Sequence, residues 1–496
     1  MKSSLVLPLL ALSLPTHPRI AVDDNIANPA TGWYRGDLHF HTNYSDDALE
    51  QGGDWMGRAI DIAEYWGDPV LTQAFPELEG RHMDFVAITD HRDIQGCFDP
   101  EMKSDTLTLI CGEEFGSDGH AGAWGINQRV AHEPSDGRTP NEQIQYAVDT
   151  TRAMGGVFSP NHPLAEGDPW VWDVQGYDTI EIWNTYWTFI TPPVSQERVE
   201  EAIASTGVAN NYIQRAAEER GGSYNMQALR FWEGHLTVGR HVAPVGGSDR
   251  HMLVMPAEPM TYVAAPSRDQ KDILDGLRNG ATFVSRGPAG PQVVMSLQDR
   301  SGKKYPMGGD APLSAGPFTL SVTVSRAGEG RLRLIEGVVD PDLDTPGGLE
   351  GQPLGEIFDD IYIAEDVQTF TVPWDPAKPA WIYAYVLEPL GIDELPWPER
   401  HFARALLDDM EWFGMDYVRL GIHLLPLMDI STLLMPADCD PADWDTDRSV
   451  CVEADPVFLG TVHIPEVYHR IFSVFQEDAT NTEYAMGAIS SAFMVQ

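Results

Sequence analysis

The feature that most restricts this chain is a rhythm. From residue 33 to about 285, short apolar runs alternate with helical patterns, and several of the runs end on histidine and acid. The strand-like runs lie at 34–39, 84–89, 107–111, 156–159, 179–183, 242–246 and 282–285. Thr139-Pro140-Asn141-Glu142 reads as a capping box with Pro at the first helical position, and Ile144, Ala147, Val148 and Thr151 then keep one stripe. Ser267-Arg268-Asp269-Gln270 reads as a second capping box, with Asn279-Gly280 closing that helix. The region from Ser195 to about Arg220 reads as a longer helical stretch. Strands alternating with helices predict parallel βαβ units, and about seven of them suit a barrel better than an open sheet.

After Gly287-Pro288 the texture changes. Short strand-like runs at 293–297, 318–324, 332–335, 370–372 and 382–387 are separated by Gly, Pro and Asp, which reads as a β-sandwich domain. From about Gly391 the chain is aromatic-rich and poorly periodic.

The strand ends carry the chemistry. His39 and His41 are two apart at the end of an extended run, so they share a face and could chelate one ion, with Asp46 after a short turn. Asp90-His91 follows the next run. Gly112-Glu113-Glu114 and Gly119-His120 follow the third, and Asn161-His162 the fourth. Asp249 and His251, with Arg250 between them, repeat the two-residue spacing after 242–246. Taken singly, each has a plain alternative: a structural histidine, a turn aspartate, a helix cap, an exposed acidic pair. Five such clusters at five strand ends are hard to obtain by chance, and parallel α/β folds assemble active sites at that edge. Imidazole with carboxylate and no thiolate suits zinc, manganese or iron.

Composition narrows the partners. The chain has 32 Lys+Arg against 75 Asp+Glu, a formal net charge of −43. That argues against a partner held through nucleic-acid phosphates, and against docking on an anionic membrane. The apolar patches at 415–435 carry Asp416, Arg419, His423 and Asp429, so they do not read as a membrane span. Residues 1–21 read as a weak signal peptide, with Lys2 before a short apolar stretch, and imply an exported protein. Four cysteines are too few for a disulfide framework. Cys439 and Cys451 could form one bridge, while the state of Cys97 and Cys111 is open. Asp340-x-Asp342-x-Asp344 and Asp443-x-Asp445-x-Asp447 lack the Gly and Glu of a calcium loop and read as solvated acidic loops. Trp170, Trp172, Trp183 and Trp187 read as packing residues that could also wall a pocket.

The ordered set of clusters resembles the polymerase and histidinol phosphatase (PHP) superfamily of metallohydrolases. The matching pieces are H-x-H-T-x-x-S-D at 39–46, T-D-H at 89–91, G-x-E at 112–114, G-H at 119–120, N-H-P at 161–163 and G-S-D-x-H at 247–251. With its all-β extension the chain looks closest to the carbaryl-hydrolase-like branch, and the match spans about half of it. The resemblance implies an α/β fold: a distorted (β/α)7 PHP barrel at 30–288, an all-β sandwich-like domain at 289–390, and a C-terminal extension at 391–496 that could complete the β domain. It implies two or three divalent metal ions. His39, His41, Glu114 and Asp249 would hold one. Glu114, placed by the family spacing in preference to Glu113, would bridge to a second with His120 and His162. Asp46, His91 and His251 would hold a third.

Such a pocket would draw a small anionic ester. Metal-bound water would serve as nucleophile, Asp249 as proton relay and His162 or His251 as acid, with Arg250 a candidate contact for a phosphoryl oxygen. A phosphoesterase is the first expectation. Hydrolysis of a carbamate, amide or carboxylic ester is the second. An exported binding protein with an inactive barrel is the third.

Overall fold

The computed structural model describes residues 25–45, 56–65, 83–116, 119–130, 137–165, 167, 169–184, 194–218, 224–251, 257–389 and 484–496. Residues 1–21, Asp46, Trp187, the 415–435 stretch, Cys439, Cys451 and the 443–447 motif lie outside them.

All seven expected runs of the first half form strands. β1 (Trp33–Phe40), β2 (Phe85–Ile88) and β3 (Thr108–Phe115) pair in parallel. β4 (Ala121–Trp124) and β5 (Val157–Pro160) extend that sheet in antiparallel fashion. β6 (Thr179–Asn184) and β7 (Ala243–Gly247) form a separate parallel pair. β8 (Met260–Ala264) returns antiparallel beside β1, and β9 (Thr282–Ser285) lies antiparallel beside β8.

The α/β class therefore holds, but a (β/α)7 barrel is not what the described residues show. The reason is local. The short link between Phe115 and Ala121 has Gly116 and Gly119 at φ 118° and 79°, and turns β3 straight back into β4. No room is left there for a crossover helix, which a parallel connection requires. β8, absent from the sequence reading, then takes the position beside β1.

Six α-helices are described: α1 (Met56–Tyr65), α2 (Pro140–Ala153), α3 (Gln196–Thr206), α4 (Asn211–Ala217), α5 (Tyr224–Thr237) and α6 (Gln270–Arg278). α2 starts at its capping box and buries Ile144, Ala147, Val148 and Thr151. The expected stretch after Ser195 is two helices, because Gly207 enters the left-handed region at φ 72° and Asn210 caps a new start. The second capping box does not form. Ser267 Oγ instead donates to Asp272, and Asp269 precedes the first turn of α6 without a side-chain cap.

The second half is all β. β10 (Gln292–Gln298), β11 (Lys304–Pro306), β13 (Phe318–Ser325) and β16 (Val367–Trp374) form an antiparallel sheet in the order β11-β10-β13-β16. Its inward Leu320, Val322 and Val324 share a core with Leu332, Leu334, Ile382 and Ala384 of the facing strands. Each large aliphatic side chain so buried contributes roughly 1.5–3 kcal/mol. The facing strands are β14 (Arg331–Val338), β15 (Glu356–Tyr362), β17 (Ala380–Pro389), β18 (Tyr484–Ser490) and β19 (Phe493–Val495), with the two-residue β12 (Asp310–Ala311) on β19. β18 pairs with β17 on one side and β9 on the other, so the two halves share one 13-stranded sheet. No described helix is long and apolar enough to cross a membrane.

Candidate metal centre

The site forms where β1, β2, β3, β5 and β7 end. His39 closes β1, and His41 follows on the same face. Glu114 sits near the end of β3, and His120 just before β4. His91 follows β2, His162 follows β5, and Asp249 and His251 follow β7. Ligand atoms of His39, His41, Glu114 and Asp249 all lie within 4.8 Å of one another, as do those of His41, His91 and His251, and those of His91, Glu114 and His120. His162 Nε2 lies 3.0 Å from Glu114 Oε1. Eight of the nine expected ligands are thus gathered, and Asp46 lies outside the described residues. Glu114 takes the central place. Glu113 points elsewhere and accepts from Val130 N at 2.6 Å. The grouping differs from the expected one at His91, which reaches Glu114 Oε2 at 3.0 Å as well as standing with His251.

Arg250 is not drawn in with its neighbours. Its guanidinium lies over the Phe40 ring, 5.4 Å from the centroid, and Phe40 faces away from His39 and His41 in the strand alternation. Trp170, Trp172 and Trp183 are core residues.

The arrangement of these donors could hold a cation. Buried polar atoms normally find hydrogen-bond partners. Here His39 Nε2, His41 Nε2, Glu114 Oε2, His120 Nδ1 and Asp249 Oδ1 are buried with none. They converge instead: His39 Nε2 is 3.2 Å from Glu114 Oε1 and 3.3 Å from Asp249 Oδ1, and His41 Nε2 is 3.1 Å from Asp249 Oδ1. Inward-facing lone pairs at such spacing fit divalent ions bound by nitrogen and oxygen.

Burial, with the His251 charge adding to it, lowers His41 to about 3, so its imidazole is neutral. Burial would raise Glu114 and Asp249, but the surrounding imidazoles, His39 foremost, hold both carboxyls below their ordinary values. Burial would lower His39, yet Asp249, Glu114 and Glu181 together push it well above the usual imidazole value. A cation entering here would take the place of that proton.

Outer residues aim the inner ones. Ser45 Oγ lies 2.8 Å from His41 Nδ1, and Asp90 accepts from Ser45 Oγ at 3.0 Å and from Thr42 N at 2.6 Å. This chain leaves His41 Nε2 facing inward. Burial lifts the Asp90 carboxyl to about 6. Asp37 accepts from Ser248 N and Ala257 N, tying β1 to the loop that carries Asp249. Asn161 Nδ2 donates to Glu114 Oε1 at 3.1 Å.

His162 and Asp249 hold their backbones at φ 27° and 52°, a region that residues with side chains seldom adopt and that recurs at functional sites. Cys97 and Cys111 form a disulfide that fastens the loop after His91 to β3. Sequence reasoning passed over Glu181 and Asn184. A charge flanked by Ile180, Ile182 and Trp183 in the strand Thr179–Asn184 was the available signal, because a buried carboxylate needs partners.

Residues 28–144 match a family described as "Protein of unknown function (DUF3604)". No curated protein matches the sequence. A solved structure from Bacteroides vulgatus ATCC 8482, described as a two-domain protein containing a predicted PHP-like metal-dependent phosphoesterase, shares 13% identity. The alignment covers 71% of this chain and 90% of that one, with a TM-score of 0.31. Similarity at that level does not establish a shared fold, and the chemistry of this chain rests on its own buried donors.

Proposed function

We propose that this chain is a metal-dependent hydrolase, and that its substrate is a small phosphoric ester. The observation that carries the reading is the convergence of His39, His41, Glu114 and Asp249, whose inward atoms have no hydrogen-bond partner. His39, His41, Glu114 and Asp249 would hold one ion, Glu114 would share a second with His120 and His162, and His91 and His251 would hold a third. Bound there, such ions lower the pKa of water towards neutrality and offset charge on a phosphoryl group. The residues do the rest. Neutral His41 and ionised Glu114 and Asp249 are in the protonation states that ligation needs. Asp249, 3.5 Å from His251 Nδ1, can pass a proton outward, and His162 or His251 can supply one to a leaving oxygen. His91 and His120 are 11% and 14% exposed, so solvent reaches the pocket from their side. An anionic ester suits the pocket because two or three dications exceed the charge of Glu114, Asp249 and Glu181.

Two further points belong to the same reading. The Cys97–Cys111 disulfide supports an exported protein, since such bonds persist in oxidising compartments. The ion is zinc, manganese or iron by ligand type.

The test is phosphate release from simple phosphomonoesters by protein loaded with each metal, against His39→Ala and Asp249→Ala. Release that survives both substitutions would falsify the proposal. Turnover of aryl carbamates or carboxylic esters with no phosphate release would keep the metal centre and replace the substrate.

A further inference from the structure

We infer that Glu181 is the positioning residue of this centre: one buried carboxylate sets the ring of His39, the backbone of His162 and the arm that steadies Asp249. The inference rests on the metal-centre reading above. Glu181 is 2% exposed and stands in the middle of β6. Its Oε1 lies 3.0 Å from His39 Nδ1. Its Oε2 accepts from His162 N at 2.8 Å and from Asn184 Nδ2 at 3.1 Å. Asn184 Nδ2 also reaches Asp249 Oδ2 at 3.2 Å. Residues that follow or end three different strands, β1, β5 and β7, are thus referred to one side chain.

Two features of the backbone exist around this contact. Glu181 and Asn184 are three apart and would face opposite sides of a regular strand. The pairing of β6 with β7 slips between Glu181 and Trp183, where Glu181 opposes Val245 and Trp183 opposes the next residue, Gly246. That bulge at Ile182 turns both polar side chains to the same side, as bulges do beside active sites. Gly247, on the neighbouring strand, leaves the necessary space. A Cβ there would stand 2.3 Å from His39 Cβ and 2.8 Å from Glu181 Oε1.

The chemistry explains why the residue is glutamate. Oε1 accepts the Nδ1 proton of His39, which fixes the tautomer that leaves the Nε2 lone pair facing Glu114 and Asp249. Oε2 accepts two further donors and holds His162 in its left-handed backbone conformation. Both ends of the side chain must accept. Glutamine has the same shape, but one end donates, so in either orientation it meets an N–H with an N–H. Its loss of charge also makes His39 a weaker base.

The experiment compares wild type with Glu181→Gln and Glu181→Asp in the full chain. Zinc and manganese binding are read by chelator competition, and stability by thermal unfolding of the metal-free proteins. Glu181→Gln should bind one ion about 10–100-fold more weakly, in line with the loss of an outer partner of a ligand. Glu181→Asp should recover part of that. A purely packing role would leave affinity unchanged at equal folding. Wild type that loads while Glu181→Gln loads identically overturns this inference alone. Wild type that takes up no zinc, manganese or iron overturns the metal centre and this inference with it. If Glu181→Gln does not fold, ¹⁵N-histidine spectra of zinc-loaded wild type decide. His39, assigned by its loss in His39→Ala, should carry its proton on Nδ1, and a zinc-bound Nδ1 would overturn the inference.

Discussion

Two buried histidine clusters lie among the described residues, and they are built on opposite principles. Around His235 nearly every polar atom is satisfied from within. His235 Nδ1 donates to Phe231 O at 2.8 Å, and Tyr177 OH donates to its Nε2. The ring stacks on Tyr212 at 3.7 Å, Tyr212 OH donates to Asp344 at 2.7 Å, and Asp344 pairs with Arg240 at 2.8 Å. Only Nη1 of Arg240 is left over in that group. Around Glu114, by contrast, His39 Nε2, His41 Nε2, Glu114 Oε2, His120 Nδ1 and Asp249 Oδ1 are all left without a hydrogen-bond partner. Both clusters are buried and both contain imidazole, so burial and residue type do not tell structure from function. The hydrogen-bond account does: the first cluster closes on itself, while the second is complete only with something added.

The sharpest way to break this contrast is to remove an inner donor. Asp249→Ala and His39→Ala should lose more activity than the about 10–100-fold typical of an outer partner. Tyr177→Phe should leave metal uptake and turnover intact. Equal losses of activity would erase the distinction.

Chelation comes next. An ion present at about a thousand times its dissociation constant adds about 4 kcal/mol of stability. The urea midpoint of wild type should fall on adding chelator, by the same amount in Asp344→Ala and by less in Asp249→Ala. A chelator-insensitive wild type would place both clusters in the structural class.

Third is the disulfide, which belongs to the metal side. Cys97 and Cys111 are 14 residues apart, and closing a loop of that size is worth about 3 kcal/mol. The Cys97→Ser, Cys111→Ser double variant should lose about that much, with metal uptake weakened because His91 leads into the same loop. Unchanged metal affinity would detach the loop from the centre.

The smallest effect sharpens the structural side. Burial lowers His235 to about 3, against an ordinary value of 6.5. Between those pH values the unfolded chain binds a proton there that the folded chain does not. The contribution to stability is therefore intact above 6.5 and falls by about 1.4 kcal/mol per pH unit as the pH drops towards 3. The stability difference between wild type and His235→Gln should show that slope at fixed metal saturation. A flat difference would mean that His235 is not held neutral.

How much of this was legible beforehand depends on how local the signal is. Strand ends at His39, His91 and Asp249 were readable, because alternation and a terminal polar pair are properties of a few adjacent residues. The capping box at Thr139 was readable for the same reason. The departure from a barrel was not, because the short link after Phe115 hides the reversal of β4 and the place of β8 beside β1 depends on tertiary pairing. Glu181 was missed because its partners sit 142 and 19 residues away, at His39 and His162. β18 was foreseen only as an extension that could complete the β domain, because its strand is read only once β9 and β17 are seen to need one between them.

β18 also sets a schedule for the protein. A chain made from its N-terminus carries β9 with an open edge, next to β8 and the strand bearing His39, until residues 484–490 emerge. Open edges invite pairing with other chains. The first half therefore completes its sheet with a strand from far down the chain, long after every gathered metal donor has been made.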